Sequence, residues 1–224
     1  KIMDSCVTYK QIRNDKEIIT YVEKSDEALK SIGYTEHSFA HVEKVATNAS
    51  WLLEKLGYSE HECDLAKIAG FMHDIGNIIK HIDHAQSGAM MAFRLLDHMD
   101  MPAEDISTIV SAIGNHDEST AQPINPISAA LIIADKCDVR RSRVRNTELI
   151  KFDIHDRVNY AVEKAELILS DDKKSLMLDV VIDTEISSVL EYFEIFLQRM
   201  LLCKRAAEFL KLEFRMTVNG TNVL

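Results

Sequence analysis

A chain of 224 residues, 46% hydrophobic and 28% charged, is sized and composed for one globular domain, or for one domain with a small appendage. Its 26 Lys and Arg against 36 Asp and Glu give a formal net charge of −10. A surface this acidic repels duplex nucleic acid and excludes a broad nucleic-acid footprint, while leaving room for a small anionic substrate beside a bound cation.

No apolar run approaches the roughly 18–20 residues of a membrane span, and no charged-then-apolar leader opens the sequence. The four cysteines, Cys6, Cys63, Cys137 and Cys203, form no CxxC pair and suit reduced, packed thiols in a cytoplasmic protein.

Only 7 Gly and 3 Pro punctuate the chain, which favours helices over tight turns. An amphipathic helix is expected from about Asp15 to Ile32, stopped by Gly33. The next runs from near Thr35 to Gly57, with Val42, Val45, Ala46, Ala49, Leu52, Leu53 and Leu56 at helical spacing. Ser59 with Glu62 reads as a capping box opening a helix that ends near His73. Further helices are expected from near His84 through Leu96, from Pro102 to Gly114, and from Pro126 through an apolar run into an Arg-rich stretch.

The character changes after about Asp171. Residues Ser175 to Asp183 alternate as a strand does, Ser187 to Lys211 reads as a long helix, and Leu212 to Val218 alternates again before an Asn219-Gly220 turn. The expected architecture is therefore mainly α: a helical domain over residues 1–171 and a small strand-helix-strand appendage over 172–224. The apolar Phe193, Phe196, Leu197, Met200, Leu201 and Leu202 of the long helix fit core burial or a homodimer interface.

Histidines carry the chemistry. Eight of the nine lie between His37 and His116, and in chain order the pattern is His41, His73-Asp74, His84, His116, then Asp135. Neutral imidazoles with carboxylates suit borderline or hard divalent ions such as Fe, Mn, Zn, Co or Ni. Without cysteine ligands, a structural zinc site is not indicated. His73 and Asp74 are adjacent and on a regular helix would diverge by about 100°, so both reach one ion only where the helix ends, and Gly76 supplies such an end. Asp135 closes an apolar run, where an unpaired carboxylate would be costly to bury.

These segments resemble the HD-domain superfamily of metal-dependent phosphohydrolases. HDIGN at 73–77 is similar to the HDIG signature, and His41 with Val45 and Ala46 behind it resembles the family's first ligand. HAQSGA at 84–89, NHDE at 115–118 and ADKCD at 134–138 resemble the later ligand segments, so the resemblance spans about residues 36–145. It implies an HD helical bundle with His41, His73, Asp74 and Asp135 around one divalent transition metal ion. In two-metal members Asp74 bridges to a second ion held by His84 and His116. Asn115 stands where one branch of the family has a further histidine, and that branch's Gly-Tyr-Pro stretch is missing after His116, so hydrolysis of a cyclic dinucleotide is not implied.

Four of the ten arginines fall within six residues just past Asp138: Arg140, Arg141, Arg143 and Arg145. They fit a solvated helix end, or a clamp on phosphate oxygens in which Arg140 and Arg141 are the candidates, with Lys44 and Lys80 as further cations. The expected reaction is hydrolysis of a nucleotide or related small phosphate ester by a metal-activated water. Asp74 orients the nucleophile, and Asp117 or His37 moves a proton. The rival readings are a non-catalytic metal- or nucleotide-binding sensor or assembly module, and, with the same ligands, a di-iron oxygenase.

Overall fold

The protein is described here by a computed structural model covering residues 7–145 and 153–224. The N-terminal part is a helical bundle: α1 (Tyr9–Asn14), α2 (Lys16–Ser31), α3 (Phe39–Leu56), α4 (Glu60–Met72), α5 (His84–His98), α6 (Ala103–Gly114) and α7 (Pro126–Lys136). A short helix α8 (Ile154–Ala161) leads into strands β1 (Val162–Leu169) and β2 (Ser175–Ile182), then the long helix α9 (Val189–Phe209), β3 (Glu213–Val218) and β4 (Thr221–Asn222). The molecule is thus mainly helical with a small C-terminal α+β part, as the sequence leads one to expect, and the sheet of that part has four strands.

The helix starts are written locally. Asp15 caps α2 by accepting from the amides of Glu17 and Ile18, and the Ser59–Glu62 capping box opens α4. Asn125 caps α7, with Pro126 at its first position. Helix α7 is buried on nearly every side and forms the bundle's axis, with Ala129 to Ile133 fully enclosed.

Two glycines set the spacing on which the centre depends. A Cβ on Gly70 would stand 2.7 Å from the Ala46 Cα, so only glycine lets α4 lie this close to α3. A Cβ on Gly76 would stand 2.0 Å from the His84 carbonyl oxygen and 2.5 Å from the Gly88 nitrogen, so the turn after His73-Asp74 lies directly on the first turn of α5.

The structure adds to or changes the expectations in three places. The expected helix from about Asp15 to Ile32 is α2, capped by Asp15, and a short helix α1, not expected, precedes it and ends at the same residue. The Arg-rich stretch is not helical. Helix α7 ends at Lys136, Arg140 is extended (φ −162°, ψ 148°), and Arg141–Arg143 make one 3-10 turn. Third, α8 and β1 had no counterpart in the sequence reading, and β1 pairs with β2 as an antiparallel hairpin that straddles residues 171–172. We propose that the appendage begins with β1; the order is β1-β2-β3-β4, with β2 and β3 parallel across the α9 crossover and β1 at an edge. Cys63, Cys137 and Cys203 are free and buried, while Cys6 lies outside the described residues. Among the described residues no helix is long and apolar enough to cross a membrane.

Candidate metal centre

His41 sits in the first turn of α3, His73 and Asp74 in the turn that ends α4, His84 at the start of α5, His116 just past α6, and Asp135 in the last turn of α7. These are six side chains from five segments. His41, His73 and His116 are fully buried, and Asp74 and His84 are 6% and 5% exposed.

The outward nitrogens fix the tautomers. His73 Nδ1 lies 2.8 Å from the Gly70 carbonyl, His84 Nδ1 2.8 Å from that of His81, and His116 Nδ1 2.6 Å from that of Ile113. His41 Nδ1 lies 2.8 Å from Asp138 Oδ2. Oxygens of these kinds only accept, so each Nδ1 carries a proton, and a ring in its neutral form turns the lone pair of Nε2 inward.

Inward, the donors converge. His41 Nε2 is 3.6 Å from Asp74 Oδ2 and 3.4 Å from Asp135 Oδ1; His73 Nε2 is 3.2 Å and 3.7 Å from the same two oxygens. The other Asp74 oxygen, Oδ1, faces His84 Nε2 at 3.5 Å and His116 Nε2 at 3.9 Å. Asp74 therefore shows one oxygen to each of two imidazole pairs.

A cation fits this set. His41 Nε2, His73 Nε2 and Asp74 Oδ2 are buried and make no hydrogen bond, a condition that costs about 1–3 kcal/mol per neutral group and more for a charge. His84 Nε2 and His116 Nε2 stand 3.1 Å apart. With both Nδ1 protons committed to carbonyls, two lone pairs oppose each other, an arrangement that a positive ion between them relieves. Three ligand groups have their donor atoms within 4.8 Å of one another: His41, His73 and Asp74; His73, His116 and Asp135; and Asp74, His84 and His116. Protonation shows the same demand for positive charge. Burial pushes the His73 imidazole down, yet the Asp74 and Asp135 carboxylates reverse this and raise it to about 10. His116, buried beside the His73 and His84 rings and Lys136, is pushed down to about 3 and stays neutral.

Asp138 is the residue that the sequence reading left without a role. It is fully buried; burial alone would raise its carboxyl, but the hydrogen bond from His41, with Arg143 and Lys44 nearby, holds it well below the ordinary carboxylate range. It orients His41 and raises the basicity of its inward-facing Nε2. The available signal was the second Asp of ADKCD, three residues after Asp135.

A cavity of about 420 Å³ opens from the cluster, a size suited to a small molecule. Its wall includes Asp74, His84 and Asp135 from the cluster, with His37, His81, Asp117, Lys136 and Arg143. The far side comes from α8 and α9 through His155, Asn159, Phe196 and Arg199. Lys136 Nζ is 2.6 Å from Asp135 Oδ2, and Arg199 Nε donates to Glu118 at 2.7 Å.

The other expected cations lie elsewhere. Lys44, Arg140 and Arg141 line a second, separate cavity, and Lys80 is exposed outside the walls of both. Arg140 and Arg141 face the second cavity together, and the 3-10 turn Arg141–Arg143 carries Arg143, not Arg140 or Arg141, to the first. His37 and Asp117 do line the cavity. His37 donates from Nδ1 to the Thr35 carbonyl, and burial holds its ring well below the usual histidine range. Burial raises Asp117, but the Ser119 hydroxyl and the His84 and Lys136 charges lower it further, below the usual carboxylate range.

Residues 38–140 match the family model of the HD domain. The crystal structure of a predicted HD superfamily hydrolase from an uncultured Thermotogales bacterium is similar over 56% of this chain and 68% of its own, at 24% identity and a TM-score of 0.44. No curated protein matches the chain significantly.

Proposed function

We propose that the chain is a metal-dependent phosphohydrolase acting on a small phosphate ester, a nucleotide or a related molecule. The observation that carries this is the set of four Nε2 lone pairs turned onto Asp74 and Asp135, with every Nδ1 already engaged. His41, His73, Asp74 and Asp135 would hold one divalent ion, and Asp74, His84 and His116 a second. Divalent ions so held supply charge stabilisation at phosphorus and make a water acidic enough to ionise near neutral pH.

The protein's own groups do the remainder. Lys136, Arg143 and Arg199 bring positive charge to an otherwise acid-lined wall and favour the phosphoryl oxygens of a bound ester. Phe196, Tyr34 and Ile32 offer apolar surface to the rest of the molecule. His37 is neutral and Asp117 ionised at pH 7, so both accept protons at rest. Either takes the proton of the attacking water and then returns it to the leaving oxygen. Asp74 orients the nucleophile from between the two imidazole pairs.

The test combines metal analysis with turnover. Protein purified without added metal should carry a first-row divalent ion, and with Mn or Fe it should release phosphate from members of a nucleotide and sugar-phosphate panel. His73→Ala and Asp74→Ala should abolish turnover while the far-UV circular dichroism is retained. Metal-replete protein that is inert across the panel, yet changes assembly on binding a nucleotide, would instead identify a sensor.

A further inference from the structure

The second cavity is chemically the opposite of the first. It opens between α3, the Arg141–Arg143 turn and the edge strand β1, with a volume of about 720 Å³. Four cations line it, Lys44, Arg140, Arg141 and Lys164, against two acids, Glu163 and Glu166. In a chain with a net charge of −10 this is a local reversal. Trp51, the protein's single tryptophan, stands on the same wall, on the face of α3 that carries Lys44, Thr47 and Asn48.

The two arginines are held in place by their neighbours. Arg141 donates from Nε to the Tyr160 carbonyl at 2.6 Å and lies over the Tyr160 ring, which fixes its guanidinium. Its Nη2 is shielded from water and makes no hydrogen bond; Glu163 and Asp183 lie 3.8 Å and 3.9 Å away. Arg140 Nη2 is likewise shielded and unbonded, 3.5 Å from a Glu36 oxygen. Arg140 and Arg141 keep 21% and 39% of their side chains exposed on this concave, cation-rich wall, which suits them to the oxygens of a phosphate, and a nearby indole fits the face of a base.

We propose that this cavity binds a nucleoside phosphate, with Arg140, Arg141 and Lys164 on the phosphates and Trp51 against the base. The site is separate from the metal cavity and connected to it through one carboxylate. Lys44 Nζ and Arg140 Nε each lie 3.0 Å from Asp138 Oδ1, while Asp138 Oδ2 holds His41. A ligand that draws Arg140 or Lys44 away from Asp138 alters the partner of a metal-ligating imidazole.

Trp51 is its own reporter. Its fluorescence is followed in the full-length protein during titration with ADP, with pyrophosphate and with adenosine, and turnover plays no part in the readout. ADP should change the emission saturably, pyrophosphate should compete with it, and adenosine should bind at least about tenfold more weakly, since it lacks the charge-assisted bonds. Arg141→Gln and Lys164→Gln should each weaken ADP by at least about fivefold, with the thermal midpoint recorded for both. Lys164 is 44% exposed at its side chain, so its variant keeps the test valid where Arg141→Gln is unstable. An emission unchanged by millimolar ADP, or a response identical in wild type and both variants, overturns the proposal.

Discussion

Asp138 accepts the Nδ1 proton of His41 at 2.8 Å from a position with no exposure to solvent. One oxygen holds the imidazole, and the other meets Lys44 and Arg140. Asp138→Asn keeps the shape and removes the charge. Metal affinity, measured by competition with a chelator, should fall by about 10–100-fold, the usual effect of losing such a partner. An unchanged affinity would show that His41 either does not ligate or needs no orientation.

The two faces of Asp74 make a stoichiometric prediction. Elemental analysis of the metal-replete wild type should give about two ions per chain, and the His84→Ala, His116→Ala double variant about one, with the His41–His73 side intact. Two ions in the variant, or one in the wild type, would remove the second position from the scheme.

Gly76 and Gly114 form a matched pair. At Gly76 an added methyl meets backbone at 2.0 Å, whereas at Gly114 its nearest neighbour is the Ala89 Cβ at 3.7 Å. Gly76→Ala should destabilise by about 3 kcal/mol or more, at or beyond the upper end for overpacking, and weaken metal binding by displacing His84. Gly114→Ala should be neutral or stabilising by up to about 1 kcal/mol, since alanine is the better helix former. Urea unfolding of both variants decides it; equal effects would mean that the contact of the His73-Asp74 turn with α5 is not tight.

Much of the centre was legible because a metal site constrains residue type and order together. His41, His73-Asp74, His84, His116 and Asp135 are polar residues at helix ends within an otherwise apolar pattern, and such violations stand out. The walls were not legible. Helix α8 turns His155 and Asn159 toward the cavity but spans only 8 residues, and β1 is an edge strand buried fully only at Val162, so their apolar patterns, Ile154, Val158 and Ala161 in one and Ala165, Leu167 and Leu169 in the other, are too short to stand out. The arginine run failed as a guide for another reason. Composition located the positive charge, but the 3-10 turn at Arg141–Arg143 decided which cavity each guanidinium reached.

Acid stability should depend on Glu191. Arg157 first, then the Ser188 amide and the Ser187 hydroxyl, lower its carboxyl to about 2 from the ordinary 4.5. A lowered carboxylate stabilises the fold above its unfolded value and loses that contribution as pH falls toward its folded value. The wild-type minus Glu191→Gln difference in thermal midpoint should therefore be constant above about pH 5 and shrink between about pH 4.5 and 2. A difference that does not vary with pH would show that the Arg157 contact adds nothing.

Arg199 and Phe196 reach the first cavity from α9, and His155 and Asn159 from α8, whereas all six candidate ligands belong to the segment from His41 to Asp135. Part of the wall that would judge the molecule brought to the ions thus lies outside the stretch of chain that would grip them. Sequence drift in the tail can retune selectivity while the candidate ligands stay fixed, so two chains with the same HDIG turn and different tails are candidates for the same chemistry on different molecules.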